Sequence, residues 1–371
     1  MIREATMDDA LPVCLLMRTL GLVTSPSDLE GAQRLWTRYW IQNPARLEAG
    51  AAFPIGWIME YEGRIVGFFG NIPMQYRMNG RDLLAGVATS WGVEKAFRSR
   101  TKDLARQYFN QPHADLVLIT TAILPAGRLC LRLGGHRLPQ DEYDEILFWV
   151  LDPRAFLNAA ISKKKVQRLL GSLFSHTAAS ALKLLIGLQR RRPGRSHPEL
   201  SVEVIGIDGV DDSFTELWRS VADHGRLVAY RRAEDLKWHF APHAAENSLS
   251  ILRCDRGGRL AGYLVLGHEH VRGIGLSRAK VLDMLVLDDD ENVIDALFKA
   301  ADVEARARGC HVLELMGLTK QNRRHLRSHR PFSRRAPAFP FFYKAMSDDL
   351  DRLLASENSW YPTLYDGDGS L

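Results

Sequence analysis

Cysteine is scarce in this chain: Cys14, Cys130, Cys254 and Cys310 stand far apart and form no Cys-x-x-Cys pair. That spacing excludes a disulfide scaffold or a zinc ribbon and leads us to expect reduced, partly buried thiols. Long apolar runs are also missing. The clearest one, ALKLLIGL (181–188), is far too short to span a bilayer. The opening MIREATMDDA is acidic and has no apolar signal core, so the expectation is a cytoplasmic chain. Acidic residues are absent from one whole stretch. Residues 153–198 hold ten Lys/Arg and no Asp or Glu, whereas the complete chain carries a net charge of only +5. Basicity is therefore a property of this middle segment and not of the surface as a whole.

What is present is ordinary for a globular protein, with 46% hydrophobic and 25% charged residues in 371. This length favours two domains, each large enough to bury its own core. A duplication supports that division. YEGRIVGFFGNIP (61–73) and RGGRLAGYLVLGH (256–268) share the pattern Gly-Arg-aliphatic-small-Gly-aromatic, and Gly63 to Phe68 matches Gly258 to Tyr263 at a constant offset of 195 residues. Each reads as a strand, a Gly-containing turn and a second strand. The flanking order agrees as well. Both halves have an opening strand, an amphipathic helix and a Trp-containing helical stretch before the hairpin. A strand, a helix, a buried strand and another helix follow it. The order predicts an α/β fold with a mixed (α+β) sheet in each half, divided as 1–150, a connector at 151–199, and 200–371.

The connector reads as two helices closed by a Pro/Gly turn, with Val166, Leu169, Leu170, Leu173 and Phe174 at helical spacing. It either packs its apolar stripe on a domain with its charges in water, or touches an anionic membrane surface or anionic polymer. The run KQNRRHLRSHRPFSRR (320–335) reads as a solvated helix and loop, with contact to phosphates or an acidic acceptor as the alternative, and nucleic acid is not an expected partner.

IREATMDDALPV, EGRIVGFF, the strand-turn-helix at 91–109 and RLCLRLGGHRL (128–138) in the first half resemble the GNAT acyltransferase superfamily. GGRLAGYLVL, VLDMLVL, HVLELMG and FPFFYKA carry the same resemblance in the second. It implies two GNAT-like domains in tandem, an acyl-CoA donor such as acetyl-CoA, an amine acceptor, and a V-shaped gap between two parallel strands for the pantetheine arm. The phosphate loop implied by the resemblance is glycine-rich, because backbone N–H groups at a helix start must approach a pyrophosphate closely. In its place stand Val93, Phe97, Arg98, Ser99, Arg100, Thr101 and Lys102, with both expected glycines replaced. Their charge suits phosphate, and they equally suit a solvated helix start. The matching turn of the second half, Leu287-Asp288-Asp289-Asp290-Glu291, would repel phosphate and cap its own helix. Donor binding is therefore expected in the first half.

For catalysis, Cys130 stands where the resemblance implies a Tyr acid, and Glu94 at the end of the fourth strand is the expected base. A solvent-facing Glu94 and a structural Cys130 are the plain alternatives. The histidines, with His268 and His270 alternating on one strand and His311 and His325 elsewhere, give no metal set. The tail ENSWYPTLYDGDGSL sets Trp360, Tyr361 and Tyr365 beside Asp366 and Asp368. Such a group can line a sugar or amine pocket, or pin the segment onto the domain. The expected function is acyl-CoA-dependent N-acyl transfer, with acetyl as the expected group, to an amine of a small molecule, glycan or peptide. A peptidoglycan-bridge-type aminoacyltransferase or polysaccharide acyltransferase is one alternative, and a catalytically silent GNAT-like binding protein is another.

Overall fold

The computed structural model describes residues 1–22, 25–50, 53–167, 198–336 and 340–371. The strands are β1 (Ile2–Glu4), β2 (Gly56–Tyr61), β3 (Arg64–Met78), β4 (Arg81–Val93), β5 (Leu116–Ile119), β6 (His136–Arg137), β7 (Glu145–Val150), β8 (Leu200–Ile205), β9 (Val228–Ala229), β10 (Leu249–Arg256), β11 (Arg259–Val271), β12 (Leu276–Val286), β13 (Val312–Leu315), β14 (Phe332–Arg335) and β15 (Phe342–Ala345). The helices are α1 (Ala10–Thr19), α2 (Leu29–Trp36), α3 (Pro44–Ala49), α4 (Thr101–Phe109), α5 (Leu124–Arg132), α6 (Pro153–Gln167), α7 (Asp212–Ala222), α8 (Ala233–Ala245), α9 (Glu291–Ala307), α10 (Lys320–Arg327) and α11 (Asp348–Leu354).

These strands form two mixed sheets of the same design. The first runs β1-β2-β3-β4-β5-β15-β6, with β9 added beside β3, and the second runs β8-β10-β11-β12-β13-β7-β14. Apart from β9, each strand of one sheet has its counterpart in the other, position by position, and the sixth place is filled reciprocally. β7 leaves the first half to pair with β13, and β15 leaves the second half to pair with β5. The mixed α/β character read from the sequence is what the chain forms. FPFFYKA, read as part of the second half, places Phe342–Ala345 in the first sheet.

Local chemistry accounts for the elements. The duplicated hairpins close through two-residue turns, Glu62-Gly63 and Gly257-Gly258, whose φ values are all positive. Such turns match the twist of the strands they join. α7 is capped by the Asp211 side chain and buries Phe214, Leu217, Trp218 and Val221 at three- and four-residue spacing. α9 does the same with Val293, Ile294, Leu297, Phe298 and Ala301. The largest core cluster spans both halves, from Trp36 and Phe68 to Phe240 and Tyr365. Two cross-links bind them further: Trp238 Nε1 donates to the Arg38 carbonyl at 2.8 Å, and Tyr230 N donates to that of Gln75 at 2.8 Å. Of the expected connector, α6 is described, and residues 168–197 lie outside the described residues. No helix among the described residues is long and apolar enough to cross a membrane.

Candidate active site

The parallel strands β4 and β5 pair over only three rungs, Ala85 with Leu116, Gly86 with Val117 and Val87 with Leu118. β4 then continues to Val93 while β5 ends at Ile119, so the two part and leave a gap. At the parting, the Tyr108 hydroxyl from α4 sits 2.7 Å from the carbonyl oxygens of both Gly86 and Leu118. Beyond it β4 carries a bulge, where pairing with β3 jumps from Gly70–Thr89 to Phe68–Gly92. Ser90 adopts a φ of 48° there, a conformation costly for a non-glycine residue. Gly70 permits the bulge, since a Cβ at that position would lie 2.7 Å from the Thr89 methyl.

The chain's last residues enter this gap. Gly367 lies so close to β5 that a Cβ on it would come 1.8 Å from Thr120 Oγ1. Thr121 Oγ1 donates to Asp368 Oδ1 at 3.0 Å. Burial pushes the Asp368 carboxyl up, and hydrogen bonds from Thr121 and Thr89 hold it back. A carboxylate thus stands between β4 and β5 where they separate. Beside it, Thr120 Oγ1 is enclosed and has no hydrogen-bond partner, an unmet polar group that a bound molecule could satisfy.

Val93 is buried at the end of β4. Phe97 packs on Tyr61 with ring centroids 5.1 Å apart, and Arg98, Ser99, Arg100 and Lys102 are exposed. The turn is wound into a 3₁₀ segment, Lys95–Arg100, that runs directly into α4, and Thr101 N donates to the Arg98 carbonyl. Amides that a glycine-rich loop would leave free are partly used by the turn itself, so the cations and hydroxyls are what it presents. Asp103, the acid of the segment, lies between Arg100 at 3.9 Å and Arg106 at 3.5 Å. Glu94 forms an ion pair with Arg64 at the outer end of the hairpin. Cys130 is fully buried on α5 against Gly135, and burial pushes its thiol up to about 12, so it keeps its proton at neutral pH.

The second sheet repeats the geometry but closes the gap. β12 and β13 pair from Arg278–Val312 to Val281–Leu315, and β12 runs on to Val286. The space beyond holds Asp283, which is fully buried. Arg231 Nε donates to it at 2.9 Å, the Tyr263 hydroxyl at 2.7 Å and Thr363 Oγ1 at 2.9 Å. Gly317, just past β13, packs against the Pro362 carbonyl. At the helix start, the Asp290 side chain accepts from Asn292 N at 2.8 Å, and Asp289 is bound by Arg226 at 2.6 Å and Asn322 at 2.9 Å. The tail therefore pins itself into the structure, with Trp360, Tyr361 and Tyr365 buried.

The tail stands out in the sequence, but its destination does not. Its signal was the aromatic and acidic alternation in WYPTLYDGDG. The run 320–335, read as solvated, also differs: Arg323 is fully buried and donates to the Gly317 carbonyl at 2.9 Å and to Glu145. His268 and His270 go separate ways, His268 Nε2 to Ser250 Oγ and His270 Nδ1 to Ser277 Oγ.

No protein family profile matches the chain. No curated protein matches it in sequence. Solved structures do match in fold. A GCN5-related N-acetyltransferase from Anabaena variabilis covers 94% of this chain and 73% of its own, with a TM-score of 0.56 and 12% identity. A probable N-acyltransferase from Enterococcus faecalis covers 93% and 72%, with a TM-score of 0.57 and 7% identity. Saccharomyces cerevisiae N-myristoyltransferase with bound myristoyl-CoA and inhibitors covers 92% and 79%, with a TM-score of 0.54 and 12% identity. The chain thus has the fold of the GCN5-related N-acetyltransferases.

Proposed function

We propose that this protein is an acyl-CoA-dependent N-acyltransferase whose donor lies on the first sheet, and we assign acetyl as the acyl group. The acceptor is an amine of a small molecule, glycan or peptide. One observation carries the reading: of two equivalent gaps, the second is filled by Asp283 and Arg231, while the first holds Asp368 and the unpartnered Thr120 hydroxyl. In this reading the pantetheine arm lies along β4 past Val87, and Arg98, Arg100 and Lys102 meet the pyrophosphate, with Ser99 and Thr101 adding hydroxyls.

Asp368 takes a proton from the acceptor ammonium, and its carboxyl, raised by burial, is better matched to that transfer than an ordinary one. Glu94 is the alternative base, although its pairing with Arg64 ties it to the hairpin end. The freed amine attacks the thioester carbonyl and the C–S bond breaks. The leaving thiolate takes up the second proton, which the nitrogen sheds as the amide forms; Cys130, the donor suggested by the resemblance, is fully buried with its thiol pushed up to about 12 and yields a proton poorly. Ser90 and Trp91, taken out of register by the bulge, would polarise the carbonyl through their N–H groups. A cytoplasmic location, with peripheral contact to an anionic surface through 153–198, belongs to the same reading.

The wound turn at 95–100 favours a second reading, a silent binding protein that has lost its phosphate loop. Thiol release from acetyl-CoA across a panel of amines separates the two. We expect release with at least one amine, lowered about 100-fold or more in Asp368→Asn while acetyl-CoA affinity is kept. No release above the protein-free control contradicts catalysis, and an unaffected Asp368→Asn variant places the base elsewhere.

A further inference from the structure

The start of α9 and the end of α10 bring together four side chains that the acyl-transfer reading does not use. His325 Nε2 and His329 Nε2 lie 2.6 and 2.8 Å from one and the same atom, Asp295 Oδ1. The other ring nitrogen of His325 lies 3.3 Å from Glu291 Oε2, one helical turn before Asp295. The side chains of His325, His329 and Asp295 are 13%, 17% and 26% exposed. One ligand-type atom from each of these three lies within 4.8 Å of the others.

His325 therefore faces a carboxylate from each of its nitrogens. A neutral imidazole has a single N–H, so one facing sets a lone pair against a carboxylate oxygen. Either a second proton or a cation must relieve it. If Nδ1–H donates to Glu291, the Nε2 lone pair points at the Asp295 oxygen. A histidine oriented by an outer carboxylate through one nitrogen and free to ligate through the other is the usual arrangement at a metal. His329 is four residues on, a spacing common in zinc sites, and adds a second imidazole nitrogen. Trp149 Nε1 donates to the His329 carbonyl at 3.2 Å and fixes the backbone there.

We propose that Asp295, His325 and His329 form a binding site for a divalent cation of the zinc class, with Glu291 orienting His325. Two imidazole nitrogens and one carboxylate oxygen suit zinc and its transition-row neighbours, whereas magnesium and calcium prefer oxygen donors throughout. The ion would clip the exit of α10 to α9. No Cys-x-x-Cys signal marks the site. Its ligands come from α9, from α10 and from the turn just after α10, 30 and 34 residues apart, and one of them, Asp295, is not a histidine.

The test uses the full chain after chelation, titrated with Co2+ and then with Zn2+. The expected result is one equivalent of Co2+ giving visible d–d bands without the thiolate charge-transfer band of a cysteine site. One equivalent of Zn2+ should raise the melting temperature by a few degrees, and Mg2+ should not. Asp295→Asn and His329→Gln each lose the Co2+ bands, and Glu291→Gln weakens Zn2+ binding by roughly 10-fold or more. Two results overturn the proposal: wild type that gives no Co2+ bands, which leaves two imidazoles donating to a carboxylate, or a His325→Gln/His329→Gln variant that binds Zn2+ as tightly as wild type. The wild-type titration decides even if a variant fails to fold.

Discussion

At the scale of single residues, the site turns on how two neighbouring carboxyls are treated. Asp368 reaches the first gap and is held by threonines, whereas Asp366 is enclosed beside Arg231 at 3.7 Å in the second. Arg231 already serves Asp283, so Asp366 shares a cation that is largely spent, and burial pushes it up to about 6 with Arg231 opposing. An ordinary Asp titrates near 3.8, so the folded chain binds this proton more tightly than the unfolded one. The resulting stability is complete below about pH 4 and is lost as the pH rises through about 6. Asp366→Asn stays neutral throughout and keeps an oxygen to accept from Thr363 N. We expect the melting temperature of wild type, relative to this variant, to fall between pH 4 and pH 6.5. A constant difference over that range contradicts the assignment. Neither carboxyl's role was legible in the sequence, where the two appear as equivalent neighbours in YDGDG.

At the scale of elements, the tail is the piece whose placement decides the site. Pro362 and Thr363 close the second gap and Gly367 and Asp368 enter the first, so one short segment treats two equivalent gaps differently. Gly367 has extended backbone, φ −157°, and the need for glycine comes from contact with Thr120 alone. Gly367→Ala should cost about 1–3 kcal/mol by overpacking and shift Asp368 away from Thr121. The check is a lower melting temperature together with reduced thiol release. Unchanged stability would show that the tail does not sit against β5. Hairpins, helix faces and caps were legible, because they rest on local spacing such as Val293, Ile294, Leu297 and Phe298. The partners of β7 and β15 were not. A short apolar strand such as FYKA looks the same whichever sheet receives it, and pairing between remote segments leaves no periodic mark.

At the scale of the whole molecule, the 195-residue offset between the hairpins was readable in the sequence, and so was the mixed α/β class that the two sheets display. The two sheets kept the same strand order but not the same chemistry. The second helix start is closed by Asp290, Asp289 and Arg226, and the first presents Arg98, Arg100 and Lys102 to solvent. Calorimetric titration with acetyl-CoA tells the two helix starts apart. It should be run on wild type, on Arg98→Glu/Arg100→Glu, and on Asp288→Ala, which alters an exposed carboxylate of the second turn. Each lost phosphate contact at a partly exposed site is worth about 1 kcal/mol or more, so reversing two charges should weaken binding more than tenfold. One acetyl-CoA per chain is expected, with binding weakened in the double variant and unchanged in Asp288→Ala. No binding by wild type, or weakening in Asp288→Ala alone, would contradict it.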